Sequence, residues 1–140
     1  MMVEWGDCDP AGIVYYPRYF EFFDANTNSL LADALGMQKP DILRRFKVAG
    51  WPMVDCQAKF ATPISFGQQV TIATDVVRIG RSSITLSHRV TSRSGALAVE
   101  GNDTRVWIGR DENDPSKIHS IPIPCEVTQR LGAKSPGEVS

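Results

Sequence analysis

The chain has 140 residues, 15 Lys and Arg against 16 Asp and Glu, a formal net charge of −1, and 42% hydrophobic residues. That is the length of one ordinary domain, with no room for a separate regulatory one and no overall electrostatic attraction to nucleic acid. No apolar run approaches the roughly 18 residues that cross a bilayer, and MMVEWGDC has no basic-then-apolar leader, so no membrane partner is expected and the cytoplasm is the expected location.

Residues 2–5 read as the end of a strand. Pro17 then sits where proline favours a first helical position, and Tyr19, Phe20, Phe23, Leu30, Leu31 and Ala34 recur at helical spacing until Gly36. The spacing predicts one helix over 17–35, long enough to lie across a sheet, and a second, short helix is expected over Pro40–Phe46. From Gly50 the texture becomes β. Segments 51–60, 68–79, 82–93 and 96–109 are rich in Val, Ile, Thr and aromatics, and Gly67, Gly80 and Gly95 mark turns, which predicts an antiparallel meander.

In the last of these segments the apolar positions change phase, from odd (Leu97, Val99) to even (Val106, Ile108), and a bulge or bend between Gly101 and Thr104 is the expected cause. IPIPCEVTQRL suggests a terminal helix and AKSPGEVS a disordered end. We therefore expect an α+β domain over 1–125, the long helix lying across an antiparallel sheet, followed by a tail over 126–140, part helical and part disordered.

The chemistry concentrates in GDCDPAGIVYYP, residues 6–17. Asp7, Cys8 and Asp9 are consecutive and do not converge readily on one ion, and no His or Cys pair stands nearby at ligand spacing, so no metal is expected. The D-x-D pair also occurs in haloacid dehalogenase phosphatases, but the leading apolar strand and the later Lys and acidic motifs of that group are missing. Cys8 as a nucleophile would need a basic partner. The chain offers His88, on the apolar face of a strand and expected as a satisfied core or interface histidine, and His119 in the polar tail. The remaining thiols, Cys56 and Cys125, stand too far apart for a CxxC site and read as reduced. Asp9 precedes a helix N-terminus, whose free N–H groups around Tyr15 and Tyr16 can polarise a carbonyl oxygen, an arrangement suited to acyl transfer. An Asx turn with Pro10 and Gly12 explains the same aspartate, and spacing alone leaves both readings open.

VEWGDCDPAGIVYYPRYFEFFDA resembles the signature of the 4-hydroxybenzoyl-CoA thioesterase family, and the likeness continues through GWPMVDCQAKFATPISFGQQVTI to the last strand, about 110 residues in order. The resemblance implies the hot-dog fold, a long central helix wrapped by a curved antiparallel sheet of about five strands, hydrolysis of a small, aromatic acyl-CoA of benzoyl or hydroxybenzoyl type, a homodimer or homotetramer, and no cofactor beyond the coenzyme A of the substrate. By the same resemblance Asp9 matches the catalytic carboxylate, nucleophile or general base, and Tyr16 the residue whose backbone N–H binds the thioester oxygen. Asp24 matches an acidic helix position near the acyl pocket, and Arg81, Ser82 and Arg105 fall in regions that meet the CoA phosphates. Trp51 stands where the 4-hydroxybenzoyl-specific type has a small polar residue, a departure that reshapes or shortens the acyl site. Short or branched aliphatic acyl-CoAs, and a noncatalytic module that binds acyl-CoA, are the competing readings. A dehydratase would need a histidine at the substrate, and His88 lies in the wrong segment.

Overall fold

The computed structural model describes residues 1–132; the AKSPGEVS end, expected to be disordered, lies outside the described residues. Helix α1 runs Pro17–Leu35, as the spacing predicts, with Pro17 in its first turn and Gly36 closing it in the left-handed region, its N–H donating to the Ala32 carbonyl. Tyr19, Phe23, Thr27, Leu31 and Ala34 form its buried stripe. Helix α2 follows at Lys39–Phe46.

Four strands, β1 (Met53–Phe60), β2 (Val70–Ile79), β3 (Ser83–Ser92) and β4 (Leu97–Val106), make one antiparallel sheet under α1. The chain's first residues extend it at the β2 edge, where Val70 N–H donates to the Met1 carbonyl and Val3 N–H to that of Gln68. The strand end expected over 2–5 is present only as a bridge of Met2 to Gln69, and Trp5 already belongs to a single 3-10 turn at Trp5–Asp7. A small ribbon, β5 (Ile108–Arg110) with β6 (Ile118–Ser120), and a helix α3 (Cys125–Gly132) complete the described chain. Val127 and Leu131 of α3 are buried in the same cluster as Leu31, Leu35, Trp51 and Trp107.

Two expectations are corrected. The four strands are not a simple meander: β2, β3 and β4 follow one another, but β1 pairs with β4, in the order β1-β4-β3-β2. The chain from Ala61 to Gln69 carries it from one sheet edge to the other, so β1 and β2 are both edges of the four-stranded sheet. The phase change in β4 is not a bulge at Gly101–Thr104 either. Odd positions stay inward throughout, with Val99, Gly101, Asp103 and Arg105 all buried, and the inward face turns from apolar to charged. Hydrophobic periodicity does not register a buried charge, so the true inward face looked outward in the sequence. The irregularities in pairing lie elsewhere, at Val54 of β1 and at Ala98 of β4.

Candidate active site

Asp9 lies in a tight loop on the surface. Its Oδ1 accepts the Ala11 N–H at 2.9 Å, and its backbone carbonyl accepts that of Gly12 at 2.9 Å. The Asx turn anticipated from the sequence is therefore present, and it holds the carboxylate by one oxygen. Gly12 takes φ 82°, the conformation that lets the loop reverse so soon. Asp7 orders this loop: its Oδ2 accepts the Glu4 N–H and its carbonyl accepts the Tyr15 N–H.

At the start of α1, Tyr15, Arg18 and Tyr19 each donate their N–H to a backbone carbonyl, those of Asp7, Tyr15 and Tyr16 respectively. Among the described residues Tyr16 N–H has no such acceptor, and Tyr16 is 58% exposed. A free N–H at the positive end of a 19-residue helix is an electrostatically suitable donor for a developing oxyanion. Around it gather exposed aromatics, Tyr15 edge-on to Tyr16 and Tyr16 edge-on to Phe60. Cys8 is poorly suited to attack: desolvation, then the charges of Asp7 and Asp9, push its thiol above the ordinary range.

The second group of residues lies at the other end of β1. Arg105 donates from Nη1 to Asp24 at 2.6 Å and from Nε to Asp103 at 3.1 Å, and Nη1 also stands 3.5 Å from the Trp51 carbonyl. Trp51 stacks on Trp107 with ring centres 5.3 Å apart, and its indole N–H donates to Asn28 Oδ1, which turns the Asn28 amide toward Asp24 at 3.4 Å. Asp24, Trp51 and Arg105 line an open groove of about 290 Å³ together with Lys39, Gly50 and Met53. Trp51 is 3% exposed, stacked on Trp107 and covered by the Lys39 ammonium 5.0 Å from its ring centre, so it offers the groove no free stacking face.

Behind Arg105 the polar chain continues inward. Asp103 receives His88 Nε2 at 2.7 Å, His88 Nδ1 stands 2.8 Å from Thr74 Oγ1, and Thr74 accepts from Asn26 Nδ2 at 2.7 Å. His88 and Asp103 are 0% and 2% exposed. One assignment in which each donor meets an acceptor has Asn26 donating to Thr74, Thr74 donating to Nδ1, and His88 donating from Nε2 to Asp103. His88 is thus the satisfied core histidine expected from its strand, with Phe23 stacked on its ring at 4.3 Å. The sequence reading missed Asp103 altogether. The signal was there in the charged odd positions of an otherwise alternating strand.

Arg81 and Ser82 sit at the β2–β3 turn, where their carbonyls hold Ile123 N–H and Trp107 N–H. Arg105 does not join them, because its guanidinium is enclosed against Asp24 and Asp103. The structure therefore brings Asp24, Trp51 and Arg105 together, sets Asp9 in the loop that leads into α1, and places Arg81 and Ser82 at the sheet end opposite Phe60 and Tyr16. A larger hollow of about 640 Å³ lies between Met1, Gln69 and Arg93 at the β2 edge and includes none of these residues. Among the described residues, no helix is long and apolar enough to cross a membrane, and no group of three or more His, Cys, Asp or Glu is placed to hold a metal.

The profile of the thioesterase-like superfamily matches residues 3–131 of the chain. The 4-hydroxybenzoyl-CoA thioesterase of Pseudomonas sp. (strain CBS-3) is 30% identical over 134 residues, covering 91% of each chain. Among solved structures, a mutant 4-hydroxybenzoyl-CoA thioesterase complexed with 4-hydroxybenzoyl-CoA superposes with a TM-score of 0.83 at 27% identity, covering 94% of both chains. A gentisyl-coenzyme A thioesterase gives 0.77 at 30% identity, covering 91% of this chain and 96% of its own. With the helix laid across a curved antiparallel sheet and the match running nearly end to end, the chain belongs to the thioesterase-like superfamily of hot-dog-fold hydrolases, closely related to 4-hydroxybenzoyl-CoA thioesterase.

Proposed function

We propose that the protein hydrolyses a small aromatic acyl-CoA, of benzoyl or hydroxybenzoyl type, to the free acid and coenzyme A. What supports this reading is a carboxylate held by one oxygen in its own turn, Asp9, in the loop that leads into α1, together with the unbonded N–H of Tyr16 at the head of that helix. The relatives' activities on 4-hydroxybenzoyl-CoA and gentisyl-coenzyme A support the aromatic acyl group.

Two balanced routes use these parts. In one, an Asp9 oxygen attacks the thioester carbon, the C–S bond breaks to release the CoA thiolate, and water hydrolyses the resulting anhydride. In the other, Asp9 takes a proton from water as that water attacks. Both routes place negative charge on the carbonyl oxygen, which the Tyr16 N–H stabilises while its side chain only packs.

The working unit in this proposal is a homodimer. The outer edge of β1 is unpaired and most of its residues are exposed, a surface suited to pairing with a second copy. Phe60, beside Tyr16, and Met53, beside Trp51, lie at opposite ends of β1, separated by about 23 Å at 3.3 Å per residue. Antiparallel pairing of two β1 edges would set the Asp9 end of one protomer against the Asp24 groove of the other. Arg81 and Ser82 would then serve the CoA phosphates from across the interface, Arg81 as a bidentate fork.

Free-thiol release over a panel of benzoyl, hydroxybenzoyl, phenylacetyl, short straight and branched acyl-CoAs tests the reading, with Asp9→Asn alongside. Turnover of the aromatic members should fall about 10²–10⁴-fold in the variant. Near wild-type turnover in Asp9→Asn would end it, and a preference for aliphatic members would replace the aromatic acyl group.

A further inference from the structure

The loop that carries Asp9 is gripped from outside by one turn. Residues 65–68 reverse the chain on its way from β1 to β2, with Gly67 at φ 83° and the Gln68 N–H donating to the Ser65 carbonyl at 3.2 Å. The N–H groups of the two central residues point out of the turn and into the loop. Phe66 donates to the Gly12 carbonyl at 3.1 Å and Gly67 to that of Val3 at 2.9 Å. Val3 and Gly12 flank the segment that holds Asp9, so a single turn ties both its ends. Val14 N–H, donating to the Ile64 carbonyl at 2.8 Å, and Val3 N–H, donating to that of Gln68 at 2.9 Å, complete the lacing, and Val3, Val14 and Ile64 are buried in one cluster.

Gln68 is the side chain that closes this turn. Its Oε1 accepts the Ser65 N–H at 2.6 Å, a donor left over because the bridge between Ile13 and Ser65 is made through the residues that flank them. Ser65 and Gln68 therefore exchange two hydrogen bonds. A further tie is apolar: Phe66 meets Trp5 edge-on, with ring centres 5.6 Å apart. Within the loop Gly12 passes the constraint on. Its carbonyl is taken by Phe66 while its N–H donates to the Asp9 carbonyl, and the neighbouring Ala11 N–H donates to Asp9 Oδ1.

We propose that Gln68 is a positioning residue for Asp9: by closing the 65–68 turn it holds both ends of the loop at a fixed span and so fixes the direction of the carboxylate. This deepens the hydrolase reading given above and rests on it. A carboxylate that must meet the thioester carbon, directly or through one water, loses rate steeply when its direction wanders. Substrate binding spread over CoA and the acyl group hardly registers the same change, so Gln68 acts on kcat and not on affinity.

The test measures both in wild type, Gln68→Leu, Gln68→Glu and Gly67→Ala. Leucine removes the acceptor, glutamate keeps one, and alanine is strained at φ 83°. Thiol release from benzoyl-CoA gives kcat, calorimetric titration with non-hydrolysable phenacyl-CoA gives Kd, and amide exchange followed by NMR reads the turn at Phe66 and Gly67 and the loop at Gly12. Gln68→Leu should lower kcat about fivefold, the worth of one neutral hydrogen bond, while Kd stays within about twofold. Gly67→Ala should lower kcat at least as far, and Gln68→Glu should recover most of the loss. Exchange at Phe66, Gly67 and Gly12 should quicken together in the two damaging variants. An unchanged kcat in Gln68→Leu, an equal loss in Gln68→Glu, a loss carried by Kd alone, or faster exchange confined to the turn would each overturn the proposal. A wild type that releases no thiol from any acyl-CoA would sink the hydrolase reading instead. Concerted exchange would then leave the hold on Asp9 standing, and exchange confined to the turn would remove that as well.

Discussion

The loop over residues 6–16 and the inward face of β4 both hold carboxylates, in opposite ways. Asp9 is held by backbone groups of its own loop and keeps an oxygen free at the surface. Asp103 is 2% exposed and held by side chains, His88 from the neighbouring strand β3 and Arg105 two residues on along β4. A surface carboxylate on a local turn can change without disturbing the core. A carboxylate wedged between a buried histidine and a buried guanidinium cannot.

Stability measurements can break this contrast most directly. Asp103→Ala should cost about 3–5 kcal/mol, because it leaves Arg105 Nε and the His88 N–H buried without an acceptor and the guanidinium with only the half-exposed Asp24 for a counter-charge. Asp9→Asn should change stability by less than about 0.5 kcal/mol, since asparagine keeps the oxygen that accepts the Ala11 N–H. Urea unfolding of both variants reads the difference, and comparable losses would mean that the loop is as deeply integrated as the core.

Gly101→Ala sharpens the same contrast from the packing side. A β-carbon there would meet Phe23 Cε2 at 2.8 Å and the Gln57 carbonyl at 3.0 Å. The backbone contact cannot yield by rotamer change, so a loss of about 1–3 kcal/mol is expected. A neutral result in urea would show that α1 and β1 give way more easily than a close-packed core allows.

The two regions also differ in how far the sequence revealed them. The loop and α1 were legible because their signals are local: Asp9, Gly12 and Pro17 fall within nine residues, and Gly36 ends the helix they begin. The place of β1 beside β4 was not legible, because strand order depends on a nonlocal crossing that leaves no mark on the alternation of either strand. Asp103 and Arg105 were hidden for a different reason. Their odd positions match the inward side of the strand, but charge at those positions reads as solvent-facing until His88 and Asp24 are seen to supply the partners.

Cys8 gives the finest test of how exposed the loop is. Its thiol is raised by desolvation first and by Asp7 and Asp9 after it, so less thiolate is present near neutral pH than at an unperturbed cysteine, and alkylation should become rapid only at higher pH. Asp7→Asn removes one of the smaller causes and should speed iodoacetamide labelling of Cys8, followed by peptide mass spectrometry, by less than about fivefold, as expected of charges interacting largely through water. Molar salt should mimic part of that gain in wild type and add little in the variant. Because desolvation is the leading cause, part of the retardation must survive both treatments. If salt alone restored the reactivity of a free thiol, the charges would be the leading cause and the packing of Cys8 beneath the loop would contribute little.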